Sequence, residues 1–115
     1  MLLCLPAAPR LPAIKPTYPI SVLPQPLRKD DARRLLTQIL AKGGVRWTQH
    51  ALRELNKDGI TQARARIVLR AGVVAEAEWE HGEWRHQVHA GRDVLVLTFE
   101  DESSTVVITG WRRTR

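Results

Sequence analysis

The sequence predicts an α+β domain in which two to three N-terminal helices pack on one face of a four-stranded antiparallel meander. Three observations carry this expectation. Residues 73–115 alternate polar and apolar side chains with a period of two, broken at turn residues. Between Asp30 and Gly72 the apolar residues recur instead at helical spacing, set off by cap residues and glycines. The two patterns do not interleave, so the helices precede one continuous meander.

All seven prolines fall between Pro6 and Pro26. Residues 1–26 therefore read as an extended arm, and residues 27–115 as the single folded domain. The first helix is expected to start at Asp30 or Asp31, either of which can cap it, and to run through Lys42 to Gly43-Gly44. Leu35, Leu36, Ile39 and Leu40 form its apolar stripe, leaving Arg33, Arg34 and Gln38 outside. Val45-Arg46-Trp47 has the character of a short edge strand. Thr48 then caps a second helix reaching Gly59, with Ala51, Leu52 and Leu55 on one side and His50, Arg53 and Lys57 within a narrow arc on the other. Thr61 caps a third, ended by Gly72, with Ala65, Val68 and Leu69 inward and Arg66 and Arg70 outward.

In the meander, two-residue turns at His81-Gly82 and Gly91-Arg92 set Trp79 against Trp84, Glu78 against Arg85, Ala77 against His86, Val88 against Leu95 and His86 against Leu97. A four-residue loop, Asp101 to Ser104, then sets Phe99 against Val106 and Leu97 against Ile108. One face collects Ala75, Ala77, Trp79, Trp84, His86, Val88, Leu95, Leu97, Phe99, Val106 and Ile108 as core. The other collects Glu76, Glu78, Arg85, Gln87, His89, Val96, Thr98, Val107, Thr109 and Trp111, and is expected to stay open. A slip of one residue would exchange the two.

Lys plus Arg number 18 against 12 Asp plus Glu, a formal charge of +6, which suits a polyanionic partner such as nucleic acid. A lone cysteine, Cys4, excludes a disulfide framework and a cysteine metal site. No apolar run is long enough to span a membrane, and Met1–Leu5 lacks a basic leader and is cut short by Pro6, so a cytoplasmic protein is expected. His86 and His89 stand three apart on a strand and point to opposite faces, which leaves no clustered-histidine metal site.

The run Val45 to Leu55 followed by Asp58-Gly59-Ile60-Thr61, with Trp84-Arg85 and the closing Val107-Ile108-Thr109-Gly110-Trp111, resembles the small bacterial domain-of-unknown-function family 4258 over roughly residues 45–115. That family commonly places an arginine four residues after its histidine; this chain has Glu54 there, and Arg53 would have to substitute for it. The family is similar in architecture to RelE-like and barnase-like ribonuclease toxins. The resemblance implies a metal-independent endoribonuclease, without cofactor, that binds RNA on the open sheet face, either free or ribosome-associated, and is partnered by an antitoxin protein.

Metal-free RNA cleavage needs a base for the 2′-hydroxyl proton, an acid for the leaving 5′-oxygen and cations for the charge building on the phosphate. His50 and His89 are the acid/base candidates, Arg85 the phosphate clamp and Thr109 a positioning hydroxyl. Arg53, Lys57, Gln87, Trp111, Arg112 and Arg113 are the candidate RNA contacts. Structural roles stand beside each: His50 paired with Glu54 in solvent, Arg85 paired with Glu78 across the hairpin, His89 as an ordinary polar residue beside a turn, and Trp111 packed at a sheet edge. The alternative to an enzyme is a non-catalytic nucleic-acid-binding or protein-binding module on the same basic surface.

Overall fold

A computed structural model describes residues 23–114. Of the N-terminal arm expected over residues 1–26, residues 1–22 lie outside the described residues. Three helices and six strands follow: α1 (Lys29–Lys42), β1 (Val45–Trp47), α2 (Gln49–Lys57), α3 (Gln62–Ala71), β2 (Val73–Val74), β3 (Glu78–Glu80), β4 (Glu83–Ala90), β5 (Asp93–Asp101) and β6 (Ser104–Arg112). The sheet order is β1-β6-β5-β4-β2, with β3 also on β4. The α+β class is as the sequence implies, but the sheet has six strands where four were expected. Two differences account for this. β1 joins β6 in parallel, Arg46 opposite Val106, and the first meander strand is split into β2 and β3.

The helix caps show both how far local chemistry reaches and where it stops. Thr48 and Thr61 cap α2 and α3 as expected, accepting from the backbone N–H of Ala51 at 2.9 Å and of Arg64 at 3.0 Å. α1 instead begins at Lys29, and its N-cap, Arg28, makes no side-chain cap bond. Asp30 and Asp31 fall in the first turn, where their charges favour the helix N-terminus without capping it. Arg33, expected outside the α1 stripe, reaches across to α3. Its guanidinium donates to the carbonyls of Leu69 and, at 2.9 Å, of Gly72, two acceptors that the end of α3 leaves unmatched. The buried stripe of α1 is therefore Ala32, Leu36 and Ile39, while Leu35 and Leu40 are only partly covered.

These side chains, with Ala51 and Leu55 of α2 and Ala65, Val68 and Leu69 of α3, close over Val88, Leu95, Leu97, Phe99 and Val107 of the sheet. Both two-residue turns form. His81 and Gly82 have φ of 51° and 81°, as a type I′ hairpin needs, and the registers through Trp79–Trp84, Val88–Leu95 and His86–Leu97 are those expected.

Three irregularities shift the rest, one between β2 and β3 and two between β5 and β6, where Glu100 of β5 and Ile108 of β6 are each an extra residue. Between β2 and β3 the three residues Ala75–Ala77 oppose only His86 and Gln87, which breaks the ladder there. The bulge presents the Ala75 carbonyl, which the His86 Nδ1–H takes at 2.9 Å. In β6, Val96 pairs with Thr109 but Leu97 pairs with Val107, so Ile108 is the inserted residue. Val107 and Thr105, rather than Val106 and Ile108, therefore turn into the core, both fully buried. The last turn is also shorter than expected, with Asp101 opposite Ser104. The Asp101 carboxylate accepts from Ser103 N–H at 2.8 Å and from the Ser103 and Ser104 hydroxyls, and these bonds hold it below the ordinary carboxylate range.

α2 lies against the end of β6. Thr48 donates from its amide to the Val107 carbonyl and from its hydroxyl to that of Ile108, each at 3.1 Å, while Asp58 accepts the Arg112 N–H at 2.7 Å. The strand edge beyond β1 is thus covered by the helix termini. Gly110 permits the approach, since a Cβ there would sit 2.7 Å from terminal methyls of both Leu55 and Leu95.

Candidate nucleic-acid interface

The sheet face turned away from the helices is built from alternate residues of three strands. Opposite the register pairs, His89, Val94 and Trp111 form one row, and Gln87, Val96 and Thr109 the next. Strands lie about 4.8 Å apart, so His89 and Trp111 stand about 10 Å from one another across β5, as do Gln87 and Thr109. Four sequence-nominated residues, Gln87, His89, Thr109 and Trp111, therefore share two adjacent rows. The face is not an open plane at its centre. Val94 and Val96, flanked on both sides by these longer side chains, are 0% and 6% exposed.

His89 Nε2 meets Gln87 Oε1 at 2.9 Å. An amide oxygen can only accept, so in this pair Nε2 is the donor. Arg85 lies next along β4, and its charge is already engaged. The guanidinium binds Glu83 at 2.8 Å and Glu80 at 3.8 Å, on its own hairpin, rather than the Glu78 that stands opposite it.

His50, Arg53 and Lys57 belong to a different surface. Ala51 and Leu55 of α2 are buried against the sheet, which puts these three on the solvent side of the helix layer. Glu54 pairs with Lys57 at 3.2 Å, not with His50. His86 is fully buried and edge-on to Phe99, and burial pushes its imidazole below the ordinary range despite the Ala75 bond and the nearby Glu76. His81 is an exposed turn residue.

At the Gly91-Arg92 end of the sheet the arginines gather. Asp93, 2% exposed at the start of β5, sits between Arg64 of α3 and Arg112 of β6, each donating Nε–H to one carboxylate oxygen at 2.7 Å. The Arg112 bond, and then that of Arg64, hold the Asp93 carboxyl below its ordinary range against the opposing effect of burial; Arg112 is raised in return. Arg113 ties the tail to the turn, its amide donating to the Arg92 carbonyl and its guanidinium to that of Gly91, both at 2.7 Å. A hollow of about 300 Å³ is lined there by Asp58, Arg92, Arg112, Arg113 and Thr114.

Of the nominated tail residues, Arg112 is thus committed to Asp93, whereas Arg113 remains exposed. Arg92 was read only as a turn residue, yet it lines this hollow; nothing in its local pattern announces that the C-terminal tail returns to it. Arg64 and Asp93 were missed for the same reason, being separated in sequence and joined only by the packing of α3 on β5.

Among the described residues no group of three or more His, Cys, Asp or Glu is placed to hold a metal ion, and no helix is long and apolar enough to cross a membrane. No protein-family model, curated protein or solved structure matches the chain.

Proposed function

We propose that the chain binds single-stranded RNA across β4, β5 and β6, at the end of the sheet that carries Arg92, Arg112 and Arg113. The observation that supports this reading is the placing of Gln87, His89, Thr109 and Trp111 in two adjacent rows on the face away from the helices, next to the arginine-lined hollow. Trp111 and His89 offer two flat rings for bases, Gln87 and Thr109 offer hydrogen bonds, and the exposed Arg92 and Arg113 offer phosphate contacts. The test is fluorescence anisotropy of a labelled single-stranded RNA against salt. Trp111→Ala is expected to weaken binding by about 1–3 kcal/mol. Arg113→Ala is expected to flatten the dependence of log K on log salt by about 0.7. Binding that is indifferent to salt and to Trp111→Ala would sink the reading.

A second reading is the metal-independent endoribonuclease suggested by the likeness to RelE-like and barnase-like toxins, and with it a cytoplasmic setting and an antitoxin-type partner. His89 favours it. Its Nε2 is held by Gln87, and in the neutral ring Nδ1 would take the proton of a 2′-hydroxyl, whose oxygen attacks phosphorus to close a 2′,3′-cyclic phosphate while the departing 5′-oxygen takes a proton from water. The engagement of Arg85 with Glu80 and Glu83, and the position of His50 on α2, support binding over cleavage. Incubation of RNA with the purified chain separates the two. Products ending in a 2′,3′-cyclic phosphate, lost in His89→Ala with RNA affinity kept, would establish the enzyme.

A further inference from the structure

The opposite end of the sheet holds a cleft of about 1070 Å³ that the RNA reading does not use. Three of the four tryptophans line it, one from each of three strands: Trp47 of β1, Trp79 of β3 and Trp84 of β4. Thr98, Val106 and Ile108 of the sheet line it as well, and Leu23 and Gln25, from the segment before α1, border it.

Trp79 is 59% exposed and stands edge-on to Trp84 at 5.1 Å, so a large indole is held in place with much of its surface in water. A third indole already takes a cation, the Arg66 guanidinium lying 5.8 Å from the Trp47 ring centre.

The charge here is the reverse of that of the whole chain. Glu83, Glu100 and Asp101 line the cleft against a single guanidinium, that of Arg46, which is paired with Glu100. Glu80 and Glu102 flank these in sequence, and although Arg85 pairs with Glu80 and Glu83, the five carboxylates outnumber the two guanidinium groups paired with them. RNA is repelled by such a surface, whereas a cationic side chain is drawn to it, and indoles beside carboxylates hold guanidinium and ammonium groups by both their faces and their neighbours.

We propose that this cleft docks an extended segment of a partner protein in which proline alternates with arginine or lysine. Proline presents a rigid apolar ring to an indole and is already extended, so little order is lost on binding; an aromatic-lined groove is the surface such segments fit. The basic side chains supply the charge complementarity that selects this segment over a purely apolar one.

The test uses the full chain and a capped ten-residue peptide repeating Pro-Pro-Arg-Pro-Leu, with a second peptide carrying Glu in place of Arg. Titration is followed by tryptophan fluorescence and by calorimetry. The arginine peptide is expected to bind saturably, with the glutamate peptide at least ten-fold weaker. Trp79→Ala and Glu100→Gln should each weaken the arginine peptide about ten-fold, as truncation of an anchoring aromatic or loss of a paired charge does. RNA affinity should stay unchanged in both variants, so the outcome does not depend on the RNA reading. Equal binding of the two peptides, no saturation at millimolar peptide, or a response untouched by Trp79→Ala would overturn the proposal. So would concentration-dependent self-association abolished by Trp79→Ala, which would make a second copy of the chain the occupant.

Discussion

Replacing Asp93 with asparagine keeps the shape of the side chain and removes the one charge between two guanidinium groups. The Asp93 side chain is 3% exposed, while those of Arg64 and Arg112 are 40% and 37% exposed. Each short bond from a charged donor contributes about 1.5–3 kcal/mol, and stripping one partner from a wholly buried pair costs about 3–5 kcal/mol. The arginines here can turn to water, which discounts both figures and leaves a net loss of about 2 kcal/mol. In urea unfolding followed by tryptophan fluorescence this moves the midpoint down by about 1 M with the slope unchanged. The pH dependence identifies the source. The Asp93 carboxyl is held below its ordinary range, so its contribution is complete above the unfolded value of about 3.9 and is lost as pH falls through the folded one. The gap between wild type and variant should therefore be flat above about pH 5 and close in stronger acid. A variant as stable as wild type at pH 7, or a gap that persists undiminished to about pH 2, would refute this account.

Two further substitutions probe the frame. Burial lowers the pKa of His86, so the unfolded chain takes up its proton first; the contribution of this residue is complete above about pH 6.5 and falls as pH drops towards the folded value. The difference in unfolding free energy between wild type and His86→Gln should accordingly decline from about pH 7 to pH 5, and a constant difference would remove the buried neutral imidazole as its cause. At Gly44 a Cβ would lie 2.0 Å from the Ser103 carbonyl oxygen, which is backbone and cannot rotate away. Gly44→Ala is expected to cost at least about 2 kcal/mol, read as a drop in thermal midpoint on the order of 10 °C.

Most of the fold was legible because most of its signals are local. Thr48 and Thr61 cap the helices they precede, and His81-Gly82 and Gly91-Arg92 make the hairpins that fix the register of β3, β4 and β5. What was illegible is set by partners far along the chain. Val45-Arg46-Trp47 has a strand's composition, but nothing in it states that the partner is β6 or that the pairing is parallel. Arg33 looks like a solvent-facing residue of α1 until the carbonyls of Leu69 and Gly72 are brought to it by the packing of α3. Asp93 reads as a turn-flanking residue, and only the arrival of Arg64 and Arg112 makes it a buried junction. The candidate site divides in the same way. The residues of β4 and β6 were found by alternation, whereas Arg92 depends on a tail that folds back from twenty residues away.

The bulge at Ile108 shows why alternation succeeded for the site even though it failed for the core. Thr105 and Val107 turn inward, and in an uninterrupted strand of period two Thr109 and Trp111 would follow them into the helix-covered face. One inserted residue reverses the phase, so that Gly110 faces inward against Leu55 and Leu95 while Thr109 and Trp111 face outward. A register read without the bulge places these last residues correctly and misplaces Val106, Val107 and Ile108. On one side of Ile108 the insertion turns Thr109 and Trp111 towards the arginine-rich end, and on the other Val106 lines the tryptophan cleft. Two insertions one strand apart, Ile108 in β6 and Glu100 in β5, thus set a surface suited to a polyanion beside one suited to a cation along one strand of nine residues.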